Sequence, residues 1–386
     1  MKTPMSINWK IKKIRILTIN PSSSLGGGNT VSNNLVLGLD KNLFEVFSFF
    51  PEKGLAATEI ENKVKVIFSP KSIFFSILYF LRNFIKKNKI NIIHAQGTRA
   101  AFWIRLLFPF IKPRPKLIYT LHGFHIIRKN FFLKWPLVFL ERFLNRWIDI
   151  LVCVSESDQN LVLKYRTIPK NKIVVIRNGI EIEKFKVSEE LVALEKEKLG
   201  LGDTFVLTAI GRLHHPKDFS TILRALKIII SSNKKFRLLI VGNGPFRESL
   251  EEETKNLALN QYVKFLGFRE DIPILINLSD IVILSTKWEG LPLLPLEAGA
   301  SRKPITASNV DGVRETIIDG KTGFLFKPGL AKDLAEKIVK LYGQEKLRKE
   351  MGENGFQHVL ENFSKERMIQ EYENLYKEIL NENSSG

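Results

Sequence analysis

Short apolar runs recur along the chain, many ending in glycine or a small polar residue and followed by a stretch with helical spacing. In the first half, runs at 14–19, 64–68, 90–94, 116–120, 148–154 and 172–176 read as buried strands. A second set stands at 205–210, 237–241, 263–266, 281–284, 304–307 and 323–326. Runs without polar alternation suit strands covered on both faces, and helices between them suit parallel pairing. The pattern therefore predicts two doubly wound α/β units. Residues 181–203 are charged and helix-prone without a strong apolar stripe, which puts the linker near 185–188. The predicted organisation is a domain over 1–185, a second over 186–363, and a helix over 364–386. That helix carries Met368, Tyr372, Leu375, Tyr376 and Ile379 on one face.

A chain of 386 residues, 44% of them hydrophobic, can bury a core in each of two domains. The single cysteine, Cys153, excludes a disulfide framework and fits a reducing compartment. No uncharged apolar run approaches the ~20 residues of a membrane span. Lys10, Lys12, Lys13 and Arg15 interrupt any signal-peptide core. The expected location is cytoplasmic.

Charge changes this picture. The net +19 lies entirely in the first half: residues 1–185 hold 30 Lys and Arg against 11 Asp and Glu, and the rest hold 29 of each. Residues 62–140 carry 15 basic side chains, 16 aromatics and no acid. Such a domain faces a polyanion: a membrane surface, nucleic acid or an anionic substrate. Phe131-Phe132-Leu133-Lys134-Trp135-Pro136 is apolar nearly all round, with Arg128, Lys129, Arg142 and Arg146 flanking it. This composition suits the inner face of an anionic membrane, bound peripherally.

Candidate chemistry concentrates where strands end. The run 281–284 enters Ser285-Thr286-Lys287-Trp288-Glu289-Gly290-Leu291-Pro292-Leu293-Leu294-Pro295-Leu296-Glu297-Ala298-Gly299. Pro292 and Pro295 fit only a helix's first turn, so the helix begins near Leu293. Glu289 then lies in the loop and Glu297 about one turn into the helix. The amides of Leu293 and Leu294, at the positive end of the dipole, suit a phosphate. Two glutamates eight apart are usually solvated surface; the mouth of a crossover is where open α/β sheets bind ligands. The run 205–210 enters Gly211-Arg212-Leu213-His214-His215-Pro216-Lys217, and 14–19 enters a turn containing Gly26-Gly27-Gly28. The run 116–120 leads to Leu121-His122-Gly123. His94 and His125 are weaker candidates and stay outside the catalytic set. His214 and His215 diverge as neighbours and have no carboxylate to complete a metal site, so no metal ligand is assigned.

The string from Ser285 to Gly299 resembles the Glu-x7-Glu signature of retaining glycosyltransferases of family 4, through Ser285, Gly290, Pro292, Glu297 and Ala298. The resemblance implies a GT-B fold, two Rossmann-like domains facing across a cleft. It implies that Glu289 meets hydroxyls of the donor sugar and Glu297 those of the nucleotide ribose. It implies that Arg212 and Lys217 hold the donor diphosphate, that His122 lies near the donor sugar, and that Gly27 and Gly28 lie between donor and acceptor. The expected catalytic set is Glu289, His122, Arg212 and Lys217. The expected donor-binding set is Gly27, Gly28, Arg212, Lys217, Leu293, Leu294 and Glu297. Asp311-Gly312-Val313-Arg314-Glu315 stands where the family carries Gly-Gly-x-Pro-Glu; Asp311 and Arg314 depart from it.

No Asp-x-Asp occurs in the chain. Metal-free stabilisation of the leaving group is expected, with no cofactor beyond a nucleotide diphosphate sugar, a UDP-sugar. The activity so implied is hexosyl transfer to a lipid-linked or polysaccharide glycan in cell-surface polysaccharide biosynthesis. Two rivals are an epimerase of the same fold, which needs no acceptor, and a catalytically silent basic module for membrane or nucleic acid. The intact Glu289, Glu297, Arg212 and Lys217 set argues against the second, and no nucleic-acid partner is expected.

Overall fold

The computed structural model describes residues 13–24, 26–70, 74–124, 126 and 130–381. Lys10, Lys12, His125, Arg128 and Lys129 lie outside the described residues. The chain forms two compact units. Met1–Cys153, Leu161–Ile176 and Ile369–Gly386 make the first; Val154–Asn160 and Arg177–Met368 make the second.

Seven parallel strands build the first sheet: β1 (Ile14–Ile19), β2 (Phe44–Phe50), β3 (Lys65–Phe68), β4 (Ile92–Gln96), β5 (Lys116–Leu121), β6 (Ile150–Cys153) and β7 (Ile173–Val175). Their order is β3-β2-β1-β4-β5-β6-β7. The register is set by pairs such as Ile14 with Phe44 and Ile16 with Ile92. The predicted strands appear within a few residues of their expected bounds, but the sequence reading passes over β2. Glu45 and Ser48 interrupt that apolar run. Both find cross-strand partners on β1: Arg15 Nε donates to Glu45 Oε2 at 2.8 Å, and the Ser48 and Thr18 hydroxyls are 2.8 Å apart.

The second sheet holds β8 (Phe205–Ile210), β9 (Phe236–Val241), β10 (Val263–Gly267), β11 (Ile281–Leu284), β12 (Ile305–Ser308) and β13 (Gly323–Phe326). The order is β10-β9-β8-β11-β12-β13. Each sheet reverses its winding once, between β1 and β4 and between β8 and β11. Ligands of doubly wound folds bind outside the carboxyl ends of strands at such a point.

The unit boundary falls at Arg177 rather than near 185–188. The reason is a pairing of 177–180 with the second unit: Ile180 N donates to Phe363 O and Lys365 N to Ile180 O, each at 2.9 Å. A Cβ on Gly179 would lie 2.4 Å from Ser364 O, so that approach requires glycine. Ile180 and Phe185 bury themselves with Val282, Leu296 and Phe363. The Lys365–Asn381 helix is likewise divided, with Ile369 onward in the first unit. There, Met368's successors meet the floor of the first sheet: Tyr376 Oη lies 2.7 Å from His94 Nδ1, Tyr372 Oη lies 3.0 Å from Thr120 Oγ1, and Asp40 N donates to Glu373.

The helices Gly97–Leu107 and Phe131–Asn145 are joined by a buried ion pair, Arg105 with Glu141 at 2.6 Å. Arg105 also donates to Asn145 Oδ1. Among the described residues, no helix is long and apolar enough to cross a membrane.

Candidate functional site

In the first unit, the functional candidates meet at the switch point. β1 leads into a turn held by Asn29, whose Nδ2 donates to Ser22 O at 2.9 Å and to Ser24 O at 2.7 Å. The Gly27–Gly38 helix begins at the glycines themselves. Gly27 and Gly28 thus form its first turn, where amides lack intrahelical acceptors. β4 ends at Gln96 and β5 at Leu121, so His122 directly follows its strand. Its Nε2 lies 3.1 Å from Gln96 Oε1. A Cβ on Gly28 would lie 3.6 Å from the imidazole, and one on Gly97 3.8 Å. Gly28, Gly97, Gln96 and His122 therefore surround one point outside the sheet. Gln96 and Gly97 were missed as site residues, although the strand-ending His-Ala-Gln-Gly string was a usable signal.

His94 lies behind this cluster, with Gln96 Nε2 3.3 Å from its Nε2. It is fully buried inside β4, with Nδ1 toward Tyr376 and Nε2 2.7 Å from Thr120 Oγ1. Burial, helped by the nearby His122, lowers its pKa to about 3. A neutral ring in this polar pocket is a packing residue.

In the second unit, two loops are clamped together beyond β8 and β11. Asp218 N donates to Ser285 O and Lys287 N to Pro216 O, each at 3.1 Å. Lys217 stands opposite Thr286 in an antiparallel bridge. The clamp carries Lys217 Nζ to within 2.5 Å of Glu289 Oε1, with both side chains about one-fifth exposed. The lysine stem runs beside Gly211, where a Cβ would lie in ordinary contact, 3.6 Å from Lys217 Cε. Arg212 is exposed and makes no ion pair among the described residues. The structure thus joins Lys217 to Glu289 and leaves Arg212 outside that pair. His214 Nδ1 meets His215 O, and the His215 ring packs edge-on against Trp288 at 4.6 Å, so both histidines shape the loop.

Helix Leu294–Ala300 starts where the prolines predict, with Leu293 as its cap. The amides of Leu293 and Leu294 sit at its N-terminal turn, where no intrahelical acceptor exists. Glu297 is half-buried on this helix. Burial raises its carboxyl to about 7, with the Lys184 and Lys217 ammoniums pulling the other way. Lys184 was not anticipated as a neighbour, because it lies 113 positions upstream of Glu297 in a segment assigned to the first domain.

The segment that departs from the family pattern is fitted to this loop. Asp311–Arg314 forms a short helix in which a Cβ on Gly312 would lie 1.5 Å from Gly290 O. Only glycine allows that helix to rest on the Glu289–Gly290 backbone. Glu315 accepts hydrogen bonds from Glu156 N at 2.9 Å and Ser157 N at 2.7 Å. Asn178 Nδ2 donates to Leu291 O at 2.9 Å and fixes the other side of the loop.

Residues 25–184 match Glycosyltransferase Family 4, and residues 193–358 match Glycosyl transferases group 1. The capsular polysaccharide biosynthesis glycosyltransferase CapM of Staphylococcus aureus is 30% identical over 74% of this chain and 76% of its own. A UDP-Gal:alpha-D-GlcNAc-diphosphoundecaprenol alpha-1,3-galactosyltransferase of Escherichia coli is 26% identical over 94% of this chain and 97% of its own. Among solved structures, Anabaena HepE in complex with UDP-glucose superposes with a TM-score of 0.84 at 22% identity, covering 97% of this chain and all of that one. That likeness carries the GT-B fold. The two family matches, the CapM similarity and the paired loops of the second sheet make the chain a glycosyltransferase, a member of glycosyltransferase family 4.

Proposed function

We propose that the protein transfers a hexose, with retained anomeric configuration, from a UDP-sugar to a hydroxyl of a lipid-linked or polysaccharide glycan. The observation that carries this reading is the Lys217–Glu289 pair beside the N-terminal turn of Leu294–Ala300, with Glu297 one turn along. The names of the relatives support the substrate class: capsular polysaccharide biosynthesis in one, and a UDP-Gal donor with a diphosphoundecaprenol acceptor in another.

Bond breakage at the sugar builds negative charge on the leaving diphosphate. Fixed donors aimed at that charge lower the barrier. Lys217 supplies a point charge, Arg212 a planar fork, and the Leu293 and Leu294 amides the helix end. Without donor, Lys217 is neutralised by Glu289. An arriving diphosphate competes for the ammonium and leaves Glu289 to accept hydrogen bonds from the sugar hydroxyls. Glu297 in its ionised form accepts from the ribose diol. His122 lines the first unit's own switch point together with Gln96. These residues stabilise the leaving group without a metal.

The same reading places the protein peripherally on an anionic membrane surface. The outer face of Phe131–Asn145 exposes Phe132 (84%), Phe139 (61%) and Phe143 (54%), together with Leu133 and Trp135. Arg142 and Arg146 stand among them, exposed. Rings at headgroup depth and cations on anionic lipid fit that face.

The test is a panel of UDP-sugars screened by thermal shift, followed by transfer to diphosphoundecaprenol-linked acceptors with the product anomer read by NMR. Glu289→Gln should cut turnover 10-fold or more while UDP binding persists. Wild-type turnover in that variant, an inverted product, or activity abolished by EDTA and restored by magnesium would each refute the corresponding part. Phe139→Ser with Phe143→Ser should loosen binding to anionic vesicles without slowing donor hydrolysis.

A further inference from the structure

The first unit has a second concave site, at the opposite end of its sheet. His122, Gln96 and Gly97 follow strand carboxyl ends. This other pocket is lined where the chain enters strands, by Asn145, Arg142 and Arg146 ahead of β6 and by residues 166–172 ahead of β7. It encloses about 570 Å³, within the ~300–1,000 Å³ of small-molecule sites.

Five of its lining side chains are cationic: Arg142, Arg146, Arg166, Lys170 and Lys172. None of the lining residues is acidic. Among the described residues none of the five makes an ion pair; the nearest carboxylate on the same helix, Glu141, is taken by buried Arg105. Like charges gathered without counter-charge repel one another and are costly to the fold. The protein holds three of them in place all the same. Arg142 donates Nε to Arg166 O at 3.0 Å and Nη2 to Tyr165 O at 3.1 Å, and Lys172 Nζ donates to Ile148 O at 2.8 Å. The Arg146 guanidinium lies over the Phe143 ring at 3.7 Å. Asn145, 3% exposed, donates Nδ2 to Thr167 O. Thr167 itself is 2% exposed and lines the pocket, and its Oγ1 has no hydrogen-bond partner among the described residues. Buried hydroxyls in native proteins are almost always satisfied. Positioned cations without counter-charge are the complement of a multivalent oxyanion.

We propose that this pocket is a binding site for a phosphate ester, separate from the donor site and at the other end of the first sheet from His122. A phosphate in it neutralises the cluster and gives the guanidiniums of Arg142 and Arg166 and the ammonium of Lys170 acceptors in fixed positions. The phosphate belongs either to an anionic lipid headgroup, since Arg142 and Arg146 continue onto the aromatic face of the same helix, or to a small soluble phosphate. The inference does not depend on the glycosyl-transfer reading, and its test uses Arg166 and Lys170, which are not on that helix.

Two variants probe it: Lys170→Glu, and Arg166→Asn, which tolerates the positive φ of 47° at that position. Each is measured by ³¹P titration with inorganic phosphate and by co-sedimentation with phosphatidylglycerol vesicles. Ionic strength is matched with chloride, and donor hydrolysis and melting temperature serve as folding controls. Removal of one cation should weaken binding about fivefold, and reversal in Lys170→Glu should weaken it more. Loss of both phosphate and vesicle binding supports the site with lipid as the source. Loss of phosphate binding with vesicle binding intact supports it with a soluble phosphate as the source. Phosphate titrations unchanged from wild type in both variants, with folding intact, overturn it.

Discussion

Glu297→Gln isolates the cost of holding a carboxylate on the Leu294–Ala300 helix. Burial moves Glu297 from its ordinary 4.5 to about 7. A shift of that size corresponds to about 3 kcal/mol between protonation states. This is an upper value, because part of the residue remains accessible. The folded pKa lies above the unfolded one. The favourable state, with Glu297 protonated, is therefore fully available below pH 4.5 and is lost as pH rises through about 7. Linkage then gives a wild-type penalty that grows by about 2.5 kcal/mol between pH 5 and pH 8. Glutamine keeps the shape and removes the titration. The variant should gain melting temperature relative to wild type as pH rises, with the gap opening between pH 5 and 7. UDP binding should move the other way. If the ribose diol needs the ionised carboxylate, wild-type affinity is about tenfold weaker at pH 6 than at pH 8. Calorimetry in buffers of different ionisation enthalpy should then record proton release near pH 6.5, and neither effect should appear in Glu297→Gln. A melting-temperature gap independent of pH, together with flat UDP affinity in wild type, would refute the reasoning.

Gly312→Ala puts a methyl where only 1.5 Å separates it from Gly290 O, so the Glu289 loop must shift. Donor hydrolysis should fall 10-fold or more, and recovery of wild-type rates would show that the loop relaxes freely. Tyr376→Phe removes the hydroxyl facing the buried His94 Nδ1. It should cost about 1–3 kcal/mol in denaturant titrations and leave KM for the donor unchanged. Lys217→Met strips Glu289 of its cation. UDP affinity should drop and donor hydrolysis should slow, read by calorimetry and by release of UDP, because the leaving diphosphate loses a fixed cation.

The strands were legible because both faces of each sheet are covered, so Ile281–Leu284 and Phe205–Ile210 carry no polar alternation to obscure them. β2 was not, because its polar residues are satisfied by partners on β1 that no local window contains. The candidate residues could be named from strand ends, glycines and the Glu-x7-Glu resemblance. Their pairing could not: Lys217 reaches Glu289 only through the hydrogen bonds of two loops 72 positions apart. Glu297 shows the same limit, since its titration is set by what packs around it. The division of contacts at Arg177 was hidden for a similar reason. Charged residues 181–184 look like a linker, yet Ile180 and Phe185 on either side of them belong to the second core.

The tie between His94 and Tyr376 spans 282 positions, and that between Asp40 and Glu373 spans 333. During synthesis the strands of the first sheet are made early, but the tyrosines that satisfy Thr120 and His94 are made only after the second sheet is complete. The second unit, apart from the short 154–160 segment, is continuous from Arg177 to Met368. The unit translated first therefore receives its last hydrogen-bond partners only after the second has been made. Until then the Thr120 hydroxyl and His94 Nδ1 lack the tyrosine hydroxyls that meet them in the finished fold.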